Sequence, residues 1–187
     1  MEFLQSQLNF IMKRSFDVVL SFLLLLLLLP PLLFVVIFSS SLIFTQYRIG
    51  KHGEPFLIYK LKTMQNGKVT RIGKWLRKYK VDELPQLWNI LKGQMSFVGP
   101  RPDIPGYYDN LKGEHRNVLL LKPGLTSLAA IKYRNEELLL SQQVNPLEYN
   151  DTVIFPDKVR MNLEYLEKRS FFYDLKIIIL TIKSLFN

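Results

Sequence analysis

The sequence contains no cysteine, two histidines, and 16 acidic residues against 25 basic ones. Without cysteine the chain can hold neither a disulfide framework nor a thiolate site, which fits a cytoplasmic location. His52 and His115 lie far apart in polar surroundings, so they are predicted to be surface residues rather than metal ligands. The chain also lacks internal repeats, low-complexity linkers and blocks of like charge that would divide it into several domains.

The excess of basic residues gives a formal net charge of +9. Such a charge attracts nucleic acid, anionic phospholipid headgroups or phosphorylated substrates. No nucleic-acid-binding motif accompanies it, so lipid and phosphorylated partners are favoured over nucleic acid. The length of 187 residues suits two parts. Residues 1–47 are expected to hold an N-terminal helix and a membrane hairpin, and residues 48–187 to form one cytoplasmic domain.

A long uncharged stretch covers residues 18–47, includes seven consecutive leucines at 23–29, and is interrupted by Pro30 and Pro31. A helix needs about 20 apolar residues to cross ~30 Å of hydrocarbon, and a break at the prolines leaves each half too short. Basic residues flank the stretch on both sides. Because Lys and Arg tend to stay cytoplasmic, a re-entrant hairpin that enters the membrane and returns is favoured. The alternative is a signal-anchor helix that is kinked at proline and spans the membrane.

The residue patterns predict an α+β fold that is mainly helical, with amphipathic helices at the membrane interface. The expected elements are a helix over residues 1–17, a β-hairpin over 43–48 and 55–61, two helices within 70–93 that meet near residue 81, a rigid loop over 96–103, and helices over 157–168 and 171–186. In the first helix, Arg14 and Asp17 stand one turn apart and are expected to pair. The last helix is compatible both with capping the core and with lying in the headgroup layer.

An acidic pair, Asp82 and Glu83, opens the second helix of residues 70–93, directly after a basic run. Asp82 is predicted to be the N-cap of this helix and Gly93 its C-terminal stop. From the pair alone, the better-supported interpretation is structural, since an acidic N-terminus stabilises a helix by ~0.5–2 kcal/mol. The functional alternative is a carboxylate that attacks phosphorus or holds a divalent metal, and both roles call for a low carboxylate pKa.

Arg101 lies between Pro100 and Pro102 in the predicted loop. Prolines restrict the backbone, and a guanidinium fixed in this way can bind phosphate oxygens through two parallel hydrogen bonds. A loop arginine by itself is more often a surface residue, so this signal gains weight only beside the acidic pair.

The stretch TRIGKWLRKYKVDELPQLWNILKGQMSFVGPRP, residues 70–102, resembles the signature of the bacterial sugar transferases, the small monotopic phosphoglycosyl transferases. Four further segments are similar to the same family: KRSFD at 13–17, QYRIGKHGEPFLIYKLKTM at 46–64, KPGLTSLA at 122–129 and YDLKIIILTIKSL at 173–185. The resemblance covers nearly the whole chain, and the combination of DELPQLWN with GPRP is highly specific.

The resemblance implies transfer of a phosphosugar from a UDP-sugar to polyprenyl (undecaprenyl) phosphate, with UMP as the second product. This is the first membrane step of surface glycan or glycoconjugate assembly. The family also implies Mg²⁺, a covalent phosphoglycosyl-aspartate intermediate, and a monotopic protein of the bacterial inner membrane whose catalytic domain faces the cytoplasm. By motif, Asp82 would be the nucleophile and Glu83 its partner, and both would bind the metal. Lys60 would sit beside this dyad, and the Pro-Arg-Pro loop around Arg101 would bind a phosphate of the nucleotide.

Two positions depart from the family pattern. The break in the membrane helix usually reads Ser-Pro, whereas here Leu29 precedes Pro30, so the freed carbonyl must find a partner other than a serine hydroxyl. The hairpin motif commonly reads Lys-Phe-Arg, whereas this chain has Leu61 and Lys62 after Lys60. Lysine at position 62 keeps the charge but lacks the planar guanidinium.

Two other functions stay open at this point. A non-catalytic, membrane-anchored basic module that binds lipid explains the charge and the hairpin, but not the acidic pair inside the basic region. A direct, one-step transfer would use Asp82 as a base or a metal ligand only. The sequence names neither the sugar nor the oligomeric state, a homodimer included. Sugar specificity is expected from the segment after Arg101 and from residues 133–135.

Overall fold

The computed structural model describes residues 2–38 and 43–186, with side chains except those of residues 2–6, 29, 31–38 and 186. The helices are α1 (Glu2–Phe38), α2 (Arg71–Lys78), α3 (Leu87–Leu91), α4 (Leu128–Lys132), α5 (Glu136–Ser141), α6 (Pro146–Tyr149), α7 (Phe155–Lys168) and α8 (Phe171–Phe186). The strands are β1 (Ile43–Ile49), β2 (Pro55–Leu61), β3 (Met64–Gln65), β4 (Lys68–Val69), β5 (Ser96–Val98) and β6 (Gly124–Thr126). Turns of 3-10 helix lie at Lys51–Gly53, Val81–Gln86, Tyr108–Asn110 and Gly113–Leu120, and a π-helical turn, Asn150–Ile154, joins α6 to α7. The predicted class, α+β and mainly helical, is confirmed.

Helix α1 continues through Pro30 and Pro31, so the predicted break of the helix at this pair is wrong. An internal proline removes one helical hydrogen bond, yet the chain can keep helical dihedral angles at the expense of a bend. None of the helices in the described part of the chain is long and apolar enough to cross a membrane. The re-entrant placement of α1 stays a prediction. Residues 39–42 of the predicted membrane segment and the side chain of Leu29 lie outside the described residues.

The predicted β-hairpin is confirmed by the antiparallel pairing of β1 with β2, which extends from Ile43 opposite Leu61 to Ile49 opposite Pro55. His52 and Gly53 in the connecting turn have positive φ angles of 62° and 87°. A second, smaller hairpin of β3 and β4 follows, with an Asn-Gly turn whose two residues also have positive φ. This dipeptide is the usual sequence of a tight two-residue hairpin turn.

The acidic pair lies in a 3-10 turn rather than at the start of a regular α-helix. Lys80 adopts a left-handed φ of 57° and leads into the turn Val81–Gln86. Asp82 is therefore the second residue of this turn, and its predicted role as an N-cap is wrong. The reason lies in Pro85, whose nitrogen cannot donate to the carbonyl four residues earlier, so the α-helical pattern begins only at α3. The predicted stop at Gly93 is confirmed, because this residue has a φ of 81° just after α3.

The segment predicted as a rigid loop over residues 96–103 begins instead with a strand. β5 pairs in parallel with β6, with Ser96 opposite Gly124. Just after β5, its backbone approaches β6 so closely that a Cβ on Gly124 would lie 2.1 Å from the nitrogen of Gly99. Glycine is required at such a backbone contact because every other residue would collide there. This contact fixes the start of the loop that carries Arg101.

The main core lies between α1, the β1–β2 hairpin, α3, the β5–β6 pair and α8. Its most deeply buried members, at no more than 2% exposure, are Ile58, Leu87, Ile90, Met95, Val98 and Ile177. Helix α8 contributes Ile177 to this core, while Phe172, Ile179 and Ile182 on the same helix are more than half exposed. The helix thus caps the core with one face and leaves an apolar face uncovered among the described residues.

Candidate active site

Four charged side chains from three segments meet at one point of the surface. β2 supplies Lys60, the 3-10 turn supplies Asp82 and Glu83, and the loop after β5 supplies Arg101. Glu83 Oε1 accepts a hydrogen bond from Lys60 Nζ at 3.2 Å. Glu83 Oε2 accepts from Arg101 Nη1 at 3.0 Å, and Arg101 Nη2 donates to Oε1. The structure thus brings together the charged residues that the motifs single out.

The position of Lys60 follows from the alternation of side chains along β2. Phe56 and Ile58 are buried in the core, and residues two apart on a strand share a face. Lys60 continues this face at the edge of the core, where its ammonium group reaches Glu83. By contrast, Lys62, at the position where the family has arginine, lies exposed beyond the end of the strand.

Pro100 and Pro102 are buried on either side of Arg101. The carbonyl of Pro100 accepts a hydrogen bond from the nitrogen of Gly124 at 2.7 Å, which ties the loop to β6. Arg101 itself keeps 41% of its side chain exposed. The two prolines therefore hold the backbone while the guanidinium stays accessible.

Glu83 is held in its ionised form. Burial opposes ionisation, but the charges of Arg101 and Lys60 outweigh it and lower the pKa of Glu83 far below its ordinary value. In return, the carboxylate of Glu83 raises the pKa of Arg101. Burial lowers the pKa of Lys60, and Glu83 counteracts this effect in part.

Asp82 lies beside this ion pair without sharing it. The residue is 7% exposed, and its Oδ1 atom is buried with no hydrogen-bond partner among the described residues. Burial raises the pKa of Asp82, and the charge of Glu83 raises it further, against the opposing charges of Lys60, Lys80 and Arg77. The expectation of a low pKa for both carboxylates holds for Glu83 and is wrong for Asp82. The main cause is burial, followed by the charge of Glu83, whose carboxylate itself accepts the hydrogen bonds of Lys60 and Arg101.

The same asymmetry bears on the predicted magnesium ion. Mg²⁺ is commonly bound through one or two carboxylates together with water and substrate phosphates. Both oxygens of Glu83 already accept hydrogen bonds, whereas Oδ1 of Asp82 is a buried oxygen in need of a positive partner. Within residues 2–38 and 43–186, no three His, Cys, Asp or Glu side chains form a group that could hold a metal by themselves. Asp82 thus fits a metal ligand that is shared with a phosphorylated substrate, and Glu83 fits this role less well.

A cavity of about 500 Å³ opens beside Arg101, within the size range of small-molecule sites. Its polar lining residues include Arg48, Asp103, Tyr107, Glu136, Asn150 and Lys158. Lys158 pairs with Glu136 at 2.7 Å across this wall. The segment after Arg101 contributes Pro102, Asp103 and Ile104 to the cavity, and its role in sugar specificity stays a prediction. Residues 133–135 are not among its lining residues, and the hydroxyl of Tyr133 instead donates to Asp157 at 2.8 Å.

Charged residues of α1 make contacts that the sequence did not reveal. Arg14 donates to the carbonyls of Ile90 at 2.7 Å and Leu91 at 2.9 Å, at the C-terminal end of α3. Asp17, 3% exposed, accepts from the backbone nitrogen of Phe97 at 3.2 Å. The predicted pair of Arg14 with Asp17 is therefore wrong, because each side chain satisfies a backbone group of another segment. The available signal was the position of these charges directly before the long apolar stretch of the same helix.

A known protein family matches most of this chain. The model of the bacterial sugar transferase family matches residues 8–187. The chain therefore belongs to the bacterial sugar transferase family. The prediction made from residues 70–102 and the four supporting segments is confirmed, and with it membership of a family of enzymes.

Curated relatives are similar to this chain over about three quarters of its length. The uncharacterized sugar transferase EpsL of Bacillus subtilis is 34% identical over 156 residues, which cover 77% of this chain and 69% of the relative. A UDP-glucose:undecaprenyl-phosphate glucose-1-phosphate transferase of Caulobacter vibrioides is 35% identical over 160 residues, 76% of this chain and 56% of the relative. A UDP-N-acetylgalactosamine-undecaprenyl-phosphate N-acetylgalactosaminephosphotransferase of Aeromonas hydrophila is 31% identical over 163 residues, 77% of this chain and 35% of the relative. The chain thus spans from 35% to 69% of the length of these relatives.

Proposed function

We propose that this protein transfers a sugar 1-phosphate from a UDP-sugar to undecaprenyl phosphate, forming undecaprenyl diphosphate sugar and UMP. The named activities of the Caulobacter and Aeromonas relatives support this reaction. The division of roles within the site rests on a single observation. Glu83 is saturated by Arg101 and Lys60, whereas Asp82 keeps a buried carboxylate oxygen without a partner among the described residues.

In the first half of the proposed reaction, a carboxylate oxygen of Asp82 attacks the phosphorus that carries the sugar. A new bond forms between this oxygen and phosphorus, and the bond from that phosphorus to the bridging oxygen breaks. The electron pair leaves with the bridging oxygen on UMP. In the second half, an oxygen of undecaprenyl phosphate attacks the same phosphorus and releases the Asp82 carboxylate. Both halves need no oxidant, reductant or further reactant.

The raised pKa of Asp82 differs from the low value expected from the sequence but is compatible with this role. Burial destabilises its anion, and a carboxylate of higher pKa is the stronger nucleophile once it has released its proton to solvent, which the nearby charges of Lys60, Lys80 and Arg77 favour. Bound Mg²⁺ would neutralise charge on the diphosphate and on Asp82. Arg101, which Glu83 and the two prolines hold in place, would bind phosphate oxygens through its exposed part. Lys60 would add positive charge beside the same phosphates.

The test is the first half-reaction in isolation. Protein mixed with a UDP-sugar and Mg²⁺, without lipid phosphate, is expected to release up to one equivalent of UMP. The peptide that contains Asp82 is expected to gain the mass of a phosphosugar. Asp82→Asn should abolish both signals, since an amide is neither a nucleophile nor an anionic ligand. UMP release that begins only after lipid phosphate is added, without any adduct, would indicate direct transfer and would leave Asp82 as a base or metal ligand.

Exposed apolar side chains on α1 and α8 indicate how the protein would sit at the membrane. The leucines Leu23, Leu26 and Leu27 on α1 are each more than half exposed, as are Ile179 and Ile182 on α8. Such apolar surfaces stabilise contact with phospholipid acyl chains. We propose that α1 enters the cytoplasmic leaflet as a re-entrant helix that bends at Pro30 and Pro31 without a break, and that α8 lies along the interface. A cysteine introduced before Lys13 should react with reagents on the cytoplasmic side, whereas labelling from the periplasm would contradict re-entry.

A further inference from the structure

Side chains from three different helices form a connected group beside the backbone carbonyl of Val98. Lys13 of α1 donates to this carbonyl at 3.2 Å and to the hydroxyl oxygen of Tyr165 at 3.1 Å. Lys13 also pairs with the carboxylate of Asp174 in α8. The hydroxyl of Tyr165 in α7 donates to Asp174 Oδ1 at 2.6 Å. We refer to Lys13, Tyr165 and Asp174 as the Lys13 cluster.

The cluster has a well-defined geometry because two of its members are buried, Lys13 is partly buried, and its charges are compensated. Tyr165 and Asp174 are 3% and 4% exposed. Burial and the neighbouring carboxylate raise the pKa of Tyr165, so its hydroxyl keeps its proton and can donate. A buried ionic network whose members are hydrogen-bonded to one another resists rearrangement, since any shift exposes an unpaired polar group to a low dielectric.

Val98 is the last residue of β5 and lies three positions before Arg101. The two intervening residues have little conformational freedom, because the nitrogen of Gly99 donates to β6 at 3.0 Å and the carbonyl of Pro100 accepts from β6 at 2.7 Å. The backbone between Val98 and Arg101 therefore cannot absorb a displacement of Val98, and Arg101 is expected to move with it. The bond of Pro100 to Gly124 belongs to the loop of the active site described above, whereas the contacts of the Lys13 cluster lie outside that site and the proposed mechanism does not use them.

A second contact on α1 strengthens the same attachment. Asp17, one helical turn after Lys13, accepts from the nitrogen of Phe97. Successive residues of β5 are thus bonded to side chains of one face of α1, the donor Lys13 at Val98 and the acceptor Asp17 at Phe97. Because α1 is the helix that carries the long apolar segment, the position of β5 is linked to the position of this segment.

We propose that the Lys13 cluster positions Arg101 for the donor phosphate through the carbonyl of Val98, so that α1 helps to set the geometry of the active site. Lys13, Tyr165 and Asp174 are positioning residues, since they act through the backbone and not on the substrate. The inference rests on the proposed function in one respect, namely that Arg101 binds a phosphate of the UDP-sugar.

The first test compares kcat and KM for the UDP-sugar in Tyr165→Phe, Lys13→Met and Lys13→Arg. A misplacement of about 1 Å at a binding group can reduce activity by about 100-fold, so Lys13→Met is expected to lower kcat/KM by about 10- to 100-fold. Lys13→Arg should recover part of this loss because it keeps a buried cation. The matched control is Tyr173→Phe, whose ring stacks on Tyr165 at 6.1 Å and which is expected to leave kcat/KM unchanged.

A double-mutant cycle with Arg101→Lys separates positioning from general destabilisation. If the cluster acts through Arg101, adding Tyr165→Phe to Arg101→Lys should reduce kcat/KM by less than about twofold, although Tyr165→Phe alone reduces it more. Losses that simply multiply would overturn the proposal. So would an unchanged kcat/KM in folded Lys13→Met. Where Lys13→Met does not fold, Tyr165→Phe decides the question, because it retains the pair of Lys13 with Asp174.

Hydrogen exchange gives a readout that does not depend on catalysis. The peptide spanning residues 99–107 is expected to exchange faster in Lys13→Met and Tyr165→Phe than in the wild type, and at the wild-type rate in Tyr173→Phe. Unaltered exchange in both cluster variants would show that no link to the Arg101 loop exists, whatever happens to activity. A wild-type protein that releases no UMP would refute the proposed function instead. Hydrogen exchange would still test whether the Lys13 cluster is linked to the Arg101 loop.

Discussion

Replacing Glu83 by glutamine removes the charge at the centre of the site while keeping its shape. In the wild type, Glu83 receives two hydrogen bonds from Arg101 and one from Lys60, with 7% of its side chain exposed. Glutamine can still accept through one oxygen, but it places an amide nitrogen next to a cation. The variant therefore leaves two cations near each other without a compensating charge.

The expected destabilisation by Glu83→Gln follows from the burial of Glu83, Lys60 and Arg101. Breaking a fully buried ion pair costs about 3–5 kcal/mol, whereas a hydrogen bond to a charged group is worth about 1.5–3 kcal/mol. Arg101 is 41% exposed, so water can partly solvate its charge, and the expected loss is about 3 kcal/mol. For a chain of this size, this corresponds to a fall in the unfolding midpoint of about 6–12 °C.

The stability lost in Glu83→Gln should decrease as the pH falls. The pKa of Glu83 lies below its ordinary value of 4.5 in the folded protein, so the folded state binds fewer protons than the unfolded state. The stabilisation by Glu83 is thus complete above about pH 5 and declines as the pH falls through the acid range toward the folded pKa. The difference in midpoint between wild type and Glu83→Gln should accordingly be largest at neutral pH and shrink on acidification.

The assay is thermal unfolding of the purified proteins at several pH values, with Glu137→Gln as the matched control. The side chain of Glu137 is 95% exposed and lies 4.0 Å from Arg77, so its replacement is expected to leave the midpoint unchanged. A Glu83→Gln variant that unfolds at the wild-type temperature at neutral pH would refute the reasoning, as would a difference that does not vary with pH.

Three further predictions concern the same region. Asp82→Asn should raise the unfolding midpoint at neutral pH while it abolishes UMP release, because burial and Glu83 make the ionised Asp82 unfavourable in the folded state; a lower midpoint would contradict the raised pKa. Arg101→Lys should raise KM for the UDP-sugar and retain the fold by circular dichroism, since lysine keeps the charge without the planar guanidinium; unchanged kinetics would make Arg101 a surface charge. Gly124→Ala should destabilise the protein by at least about 2 kcal/mol in denaturant unfolding, because its Cβ would lie 2.1 Å from the backbone nitrogen of Gly99, and wild-type stability would show that the two backbones are not in contact.

Local patterns determined much of the fold. Alternating β-branched and aromatic residues around a Gly-Lys-His-Gly turn predicted the pairing of β1 with β2, and Gly93 marked the end of α3. These features succeed because they depend on residues that are neighbours in the chain. Likewise, the motif residues Asp82, Glu83 and Arg101 were recognisable as members of one family signature before any geometry was known.

Other features depend on contacts between distant segments. The parallel pairing of β5 with β6 joins residues 96–98 to 124–126, and the close approach of Gly99 to Gly124 has no local signature. The same holds for Asp17, which a helical spacing assigns to Arg14 but which accepts from Phe97, 80 residues later. A charge pair at helical spacing stabilises a helix by only ~0.2–0.5 kcal/mol, which is less than the cost of leaving a buried amide without a hydrogen-bond acceptor.

The sequence by itself predicted which residues form the candidate site, and the tertiary structure decided which contacts each of them makes. Asp82 and Glu83 are adjacent acidic residues with similar ordinary pKa values, so the family motif can propose different roles for them but no local pattern predicts different pKa values. The fold brings Lys60 and Arg101 to Glu83 and leaves a buried oxygen of Asp82 without a partner among the described residues. Because charge interactions fall with distance and strengthen on burial, placement in three dimensions drives the two pKa values apart.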